Sequence, residues 1–389
     1  MSDVSSKLVL GVGVAILAGM AYMTISQVSR NVAETGRGFA LPELREHLSE
    51  VRSLTVTAAG EKDVLNLKRD TGGWTVTQKG GYPADSAAIN GLLRKLADAR
   101  LLEAKTAVEQ RYAELGVEDV KNAQAKGIKL VLTGLSTPVR LIIGNATTEG
   151  TFVRRAEDRK AWLAKGNLQI NLDPVFWLDH NLLDVAPERV AAVTVDRTGV
   201  KPSRLSRSSP EDAAFRLSEK RQSKALEAGA LGALPTALSG LTLIDVVPAT
   251  QATATANSLR YDTFDGLNLT IQAWTQENLC HAHLTAMFSP KEATAFIKSA
   301  QNQTQKAFQA SGKPTAEAPL AVTDADKDLQ QRLQESEGAA EKLQLLFSER
   351  EFILPETICA RFVPPAELTT LSDETAKPGA AKEAKGKRR

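Results

Sequence analysis

The chain has 389 residues, 42% apolar and 24% charged, with a formal net charge of +2 from 48 basic and 46 acidic side chains. That length suits two or three domains, each with its own core. The balanced charge excludes a nucleic-acid binder that works by neutralising phosphates, and two cysteines exclude a disulfide-rich scaffold or a four-cysteine zinc site.

Residues 8–25 read LVLGVGVAILAGMAYMTI, with no charge among them. As a helix they span about 27 Å, close to the ~30 Å hydrocarbon core of a bilayer. The sequence therefore predicts an N-terminal transmembrane anchor over residues 1–30. The rival reading is a cleaved leader with its site at Gly19-Met20-Ala21, but the apolar run continues past that point to Met23 and Ile25. Gly11, Ala15 and Gly19 recur every four residues and share one helix face, a small-residue stripe suited to packing against another membrane helix. Flanking Lys7, Arg30 and Arg37 do not fix the orientation. A short leader before a long body is by default retained inside, which puts the body outside the cytoplasm.

A polar connector follows over 31–49. From residue 50 the pattern is α+β. Val51–Val56 and Val64–Leu67 alternate as half-buried strands do, Gly72-Gly73 turns the chain, and Trp74-Thr75-Val76 starts a third strand. Asp85 is placed to cap a helix whose apolar face is Ile89, Leu92, Leu93 and Leu96. A short helix at Arg111–Leu115 is stopped by Gly116, and strands follow at 128–132, 139–143, 151–155 and 161–164. A short apolar helix opens at Pro174. The order then restarts: Val190–Val195 matches Val51–Val56, Phe215-Arg216-Leu217 takes the place of Trp74-Thr75-Val76, and Leu231, Leu234, Leu238 and Leu241 form a second helix face. Strands follow at 243–247, 258–261, 267–274 and 279–286. Two helices over 293–308 and 326–347 interrupt this second copy before a last strand at 351–355. The expected fold is therefore an N-terminal transmembrane helix followed by two diverged α+β repeats of mostly antiparallel sheet with packed helices, over 50–187 and 188–365. A helical insertion lies near 290–350, and a disordered basic tail covers 366–389.

Chemistry is sparse. On a strand, His281 and His283 share a face and Cys280 takes the other, offering two ligands where zinc takes three or four. Cys280 and Cys359 either form one disulfide, given an oxidising compartment, or stay as two buried thiols. Asp179-His180 has no nucleophile motif beside it. The carboxylate pairs Glu118-Asp119 and Glu349 with Glu351 read as solvated surface. Arg154, Arg155, Arg159 and Lys160 flank Trp162 and form a candidate contact for a lipid headgroup or a protein partner. No catalytic residue, metal or cofactor is expected.

The runs Gly73-Trp74-Thr75-Val76, Gly81-Tyr82-Pro83-Ala84-Asp85 and Leu92-Leu93-Arg94-Lys95-Leu96 carry a family resemblance, extended by Arg111-Tyr112-Ala113-Glu114-Leu115-Gly116-Val117, Gly150-Thr151-Phe152-Val153-Arg154 and Leu182-Leu183-Asp184-Val185. They resemble a bacterial family of membrane-anchored proteins built on a domain of unknown function. Members are often encoded beside gliding-motility-type ABC transporter components. The resemblance implies a non-catalytic accessory subunit at the inner membrane, with a periplasmic body, an ABC transporter permease as partner and an envelope polymer or peptide as possible ligand. It assigns no functional residue. The alternatives are an independent envelope scaffold and a metal-dependent hydrolase using His281 and His283.

Overall fold

The structure, a computed structural model, describes residues 38–197, 200–217, 233–252, 256–312, 314 and 317–362. The chain divides into two compact units, the first ending at Asp179 and the second starting at His180.

The first unit is built on a nine-stranded antiparallel sheet. Its strands are β1 (Ser53–Ala58), β2 (Lys62–Asp70), β3 (Gly73–Val76), β4 (Tyr82–Pro83), β5 (Leu101–Ala104), β6 (Ile128–Thr133), β7 (Val139–Ala146), β8 (Gly150–Arg155) and β9 (Ala161–Lys165). Period-two alternation decides the register. In β1, Leu54 and Val56 are fully buried, and they pair with the equally buried Leu67 and Leu65 of β2 on one side and Leu132 and Leu130 of β6 on the other. A short helix α1 (Pro42–Arg45) precedes the sheet. The main helix is α2 (Ser86–Ala97). The Asp85 carboxylate accepts the N–H groups of Ala87 and Ala88, satisfying two donors that the first turn leaves free. Ile89, Leu92, Leu93 and Leu96 form its buried face. A third helix, α3 (Tyr112–Leu115), ends where Gly116 turns left-handed at φ 69°.

The second unit repeats the arrangement. Its larger sheet contains β11 (Val190–Arg197), β12 (Val200–Ser206), β13 (Arg216–Leu217), β15 (Asp245–Pro248), β16 (Asn257–Thr263), β17 (Leu267–Gln276), β18 (Leu279–Phe288) and β19 (Arg350–Leu354). β10 (Asn181–Leu183) and β14 (Leu241–Thr242) form a separate pair. Leaving out β4, the first sheet runs β3-β2-β1-β6-β7-β8-β9-β5, and the second runs β13-β12-β11-β16-β17-β18-β19-β15. Every strand of one has a counterpart at the same place in the other.

One arginine–aromatic pair recurs with the topology. Arg69, after β2's pairing with β1, donates its N–H to Arg52 O at 2.8 Å and sets its guanidinium 6.0 Å from the Trp74 ring. Arg207 donates to Ala191 O at 3.0 Å and lies 4.8 Å from the Phe215 ring. Both pairs stand at the junction of the second and third strands of the repeat.

The units differ between their last paired strands. β8 and β9 are joined by a short hairpin, whereas β18 and β19 are separated by α4 (Pro290–Ser311), α5 (Leu320–Thr323) and α6 (Ala325–Phe347). β19 pairs with β18 over only three residues, Cys280 to Ala282. Further along the same strand, the Ala286 N–H donates to Gln344 Oε1 of α6 at 2.8 Å, so a side chain takes over where the neighbouring strand is missing. The final helix is α7 (Glu356–Phe362).

The expected fold class is corrected in one respect. Among the described residues, no helix is long and apolar enough to cross a membrane. The longest, α4 and α6, have 22 and 23 residues, but charges run through them, as at Lys327, Arg332, Glu337 and Glu341 of α6. Residues 8–25, with Gly11, Ala15 and Gly19, lie outside the described residues, as do Leu231 and the tail over 366–389. The rest of the expected second helix face is not an α-helix: Leu234 opens a 3-10 helix (Leu234–Thr236), Leu238 lies in a turn and Leu241 begins β14. The turn at Pro174 is a 3-10 helix (Pro174–Trp177) rather than an α-helix.

Gly266 sets how closely α4 approaches the sheet. Its φ is +84°, and a Cβ there would stand 2.5 Å from Ser289 O and 2.9 Å from Ala293 Cβ. Gly266→Ala is expected to destabilise the chain by about 1–3 kcal/mol through a displaced α4. Urea denaturation of the variant beside wild type measures it.

Candidate functional site

The residues singled out from sequence as a basic contact surface are divided by the fold. Arg154 in β8 is 4% exposed and consumed by the protein. Its guanidinium donates to Val117 O at 2.9 Å, Asp158 O at 3.0 Å and Asp119 Oδ1 at 2.7 Å, and it lies 4.6 Å from the Tyr112 ring. Arg155 reaches Ala40 O and the Glu43 carboxylate, at 3.0 and 2.8 Å. Arg159 is exposed, and its carbonyl accepts from the Tyr112 hydroxyl. Lys160 sits 5.3 Å from the half-buried Trp162 ring. Arg154, buried, and Arg155, half-buried, therefore hold the β8–β9 hairpin and the segment at Ala40–Glu43, and of the four basic residues only Arg159 is exposed.

The titratable cluster lies on β18 and β19. Glu351 was expected at the surface from its neighbourhood of Glu349 and Arg350, yet it is 2% exposed. In β19 it shares a sheet face with Ile353, which is paired with His281, so the alternation turns it inward. Four donors reach its carboxylate. His281 Nδ1 is 2.5 Å from Oε1 and His283 Nε2 is 3.3 Å from Oε2. Thr250 adds its hydroxyl at 2.5 Å and its backbone N–H at 3.2 Å, both to Oε2. Burial pushes the Glu351 carboxyl up, but the Thr250 and His281 hydrogen bonds outweigh that and hold it below the ordinary glutamate value. An ionised carboxylate only accepts, so Nδ1 of His281 and Nε2 of His283 both carry hydrogen. Trp274 packs on the pair, stacked on His281 with centroids 5.7 Å apart and edge-on to His283 at 4.9 Å.

Cys280, on the opposite face of β18, is bonded to Cys359 of α7, with Cα atoms 5.7 Å apart. The sulfur is therefore spent in a disulfide, and the two histidines are turned to one carboxylate. Among the described residues, no group of three or more His, Cys, Asp or Glu side chains is placed to hold a metal ion. His180 is apart from all of these, with Nδ1 3.1 Å from Leu243 O.

A groove of about 600 Å³ lies in the second unit. Local sequence gave no sign of it. α4 forms one wall with Glu292, Ala295, Phe296, Ser299 and Gln303, and the loop after β12 forms the other with Ser208–Glu211. Phe264 and Phe296, both in the lining, stack with centroids 5.9 Å apart. Arg207 fixes the loop wall, donating to Val190 O at 2.8 Å, Pro187 O at 2.6 Å, Asp212 O at 3.1 Å and Pro210 O at 3.3 Å. At the rim, Asp262 accepts from Arg204 at 2.7 Å and from Arg260 at 2.8 Å.

Residues 74–260 match the model of a family described as a domain of unknown function, DUF4340. The match begins in β3 and ends in β16, so it spans parts of both units and stops short of Phe264 and α4. No curated protein and no solved structure matches the chain.

Two outcomes follow from the Glu351 cluster. Glu351→Gln keeps the size but removes the charge, and it is expected to destabilise the chain by about 1–3 kcal/mol at neutral pH. Because the folded pKa is lowered, the carboxylate's contribution is complete above the ordinary value of 4.5 and is lost as pH falls below it through the folded value. Denaturant titrations between about pH 3 and 6 therefore give wild type a steeper acid loss of stability than Glu351→Gln.

Proposed function

We propose that the chain is a non-catalytic binding subunit that works outside the cytoplasm as an accessory of an ABC-type transporter. The observation that carries this reading is the Cys280–Cys359 disulfide. Disulfides form and persist in oxidising compartments such as the periplasm and are reduced in the cytosol. A binding role is favoured over chemistry by the way the polar groups are used. His281, His283 and Thr250 are turned to Glu351, and the guanidinium of Arg154 is turned to backbone carbonyls and Asp119, which is the pattern of a structural core. The groove, by contrast, is walled by two fixed elements and offers apolar surface beside polar side chains. The transporter as partner comes from the family resemblance, whose members are often encoded beside such components.

Two measurements test the proposal. Alkylation of the chain in intact cells with a maleimide-polymer reagent is expected to add mass only after reduction. Labelling of both cysteines without reductant would place the body in a reducing compartment. Affinity purification from detergent-solubilised membranes is expected to recover an ABC permease and its ATPase. Recovery of the chain alone, under conditions that keep other transporter complexes intact, would leave an independent envelope scaffold as the better reading.

The same disulfide sets a stability expectation. It closes a loop across a sequence separation of 79 residues, for which the chain-entropy relation gives roughly 4.5 kcal/mol. The double variant Cys280→Ser, Cys359→Ser is expected to lose a large part of that in chemical denaturation. Wild type in reductant should fall to the same midpoint.

A further inference from the structure

We infer that the groove between α4 and the loop after β12 binds a peptide segment in which aliphatic side chains are flanked by Lys or Arg. This deepens the proposed function and rests on it only for the source of the peptide, a partner protein outside the cytoplasm.

Volume and lining give the apolar half of the argument. At about 600 Å³ the groove falls within the usual range of ligand sites. Its apolar lining is Phe264 and Phe296, with Ala295 and Ala300. The two rings are turned face to face, 26° from parallel, and the Arg207 guanidinium lies 5.6 Å from the Phe264 ring. With one face of each ring turned to the other, the rings and the methyl groups of Ala295 and Ala300 offer apolar surface that suits a branched aliphatic side chain.

Charge gives the other half. The lining contains three carboxylates, Glu211, Asp262 and Glu292, and one guanidinium, Arg204. Asp262 is already bound by Arg204 and Arg260. Glu211 and Glu292 stand on opposite walls, and neither has an ion-pair partner among the described residues. Hydrogen bonds from its own backbone N–H and from Ser209, with a smaller attraction from Arg207, hold the Glu211 carboxyl below the ordinary value. An apolar slot edged by two carboxylates that no salt bridge among the described residues engages complements an apolar segment that carries cations. Both walls are fixed before any ligand arrives, one by the Arg207 clasp and the other by the close approach at Gly266, so little ordering is left to oppose binding.

The test uses the full chain and three dye-labelled tetrapeptide cores flanked by glycines: Lys-Leu-Leu-Lys, Gln-Leu-Leu-Gln and Glu-Leu-Leu-Glu. Binding is read by fluorescence anisotropy. Two exposed charge contacts predict that the lysine peptide binds about tenfold tighter than the glutamine peptide at low salt. That preference should shrink as salt is added. It should disappear in the double variant Glu211→Gln, Glu292→Gln, with the glutamine peptide unaffected. Ala295→Trp, an exposed position on α4 whose indole would fill the groove, should weaken both peptides at least about tenfold, since it removes the apolar site. Thermal melts check that the variants are folded. Equal binding of the glutamate peptide, unchanged binding to Ala295→Trp, or binding of maltohexaose in place of any peptide would overturn the inference. A pull-down without transporter components would overturn the proposed function and leave the peptide result standing.

Discussion

A carboxylate buried in the last strand of the second sheet is the constraint on which that unit's closure depends. Glu351 is destabilising in β19 unless its oxygens are bonded, because a buried charge without partners loses far more than it gains. Its donors come from two other places in the chain: His281 and His283 from β18, and Thr250 from just beyond β15. The carboxylate is satisfied only when β15, β18 and β19 are all in register. The chain needs such a fixed point there. It leaves β18 for three helices and returns only at residue 350, and β19 then meets β18 over three residues alone. The disulfide acts on the other face of the same strand at Cys280, so β18 is held from both sides where the long excursion closes.

The shared strand order of the two sheets puts that excursion in context. Where the first unit turns tightly from β8 to β9, with Arg154 gripping the carbonyls of the turn, the second inserts α4 to α6. The arginine–aromatic pairs Arg69–Trp74 and Arg207–Phe215 mark the same junction in both copies. In the second copy, Arg207 reaches further and fixes the loop that faces α4. One repeat thus keeps a closed hairpin, and the other carries a groove built on an otherwise matching frame.

Much of this frame is legible in the sequence because it is local. Alternation marks β1, β2, β11 and β17, Asp85 announces the start of α2, and Gly116 ends α3. Long-range effects are not legible. Glu351 stands beside Glu349 and Arg350 and reads as surface, and only its phase with Ile353 hints that it faces inward. Arg154 and Arg155 look like a basic patch in sequence, yet distant carbonyls at Val117 and Ala40 claim them. The groove joins 208–211 to 292–303, and no window of sequence contains both. The apolar stretch over 8–25 is conspicuous in sequence but lies outside the described residues, so the structure neither positions it nor assigns it a partner.

The Cys280–Cys359 bond also makes the chain between them a closed covalent ring. β18, the three inserted helices and β19 all lie on that ring. A single backbone cut anywhere along it opens the ring without releasing a piece, because both new ends remain joined through the sulfurs. In a compartment that contains proteases, the segment that carries the α4 wall of the groove can be nicked once and still be recovered with the rest of the chain as one particle until a reductant separates the halves.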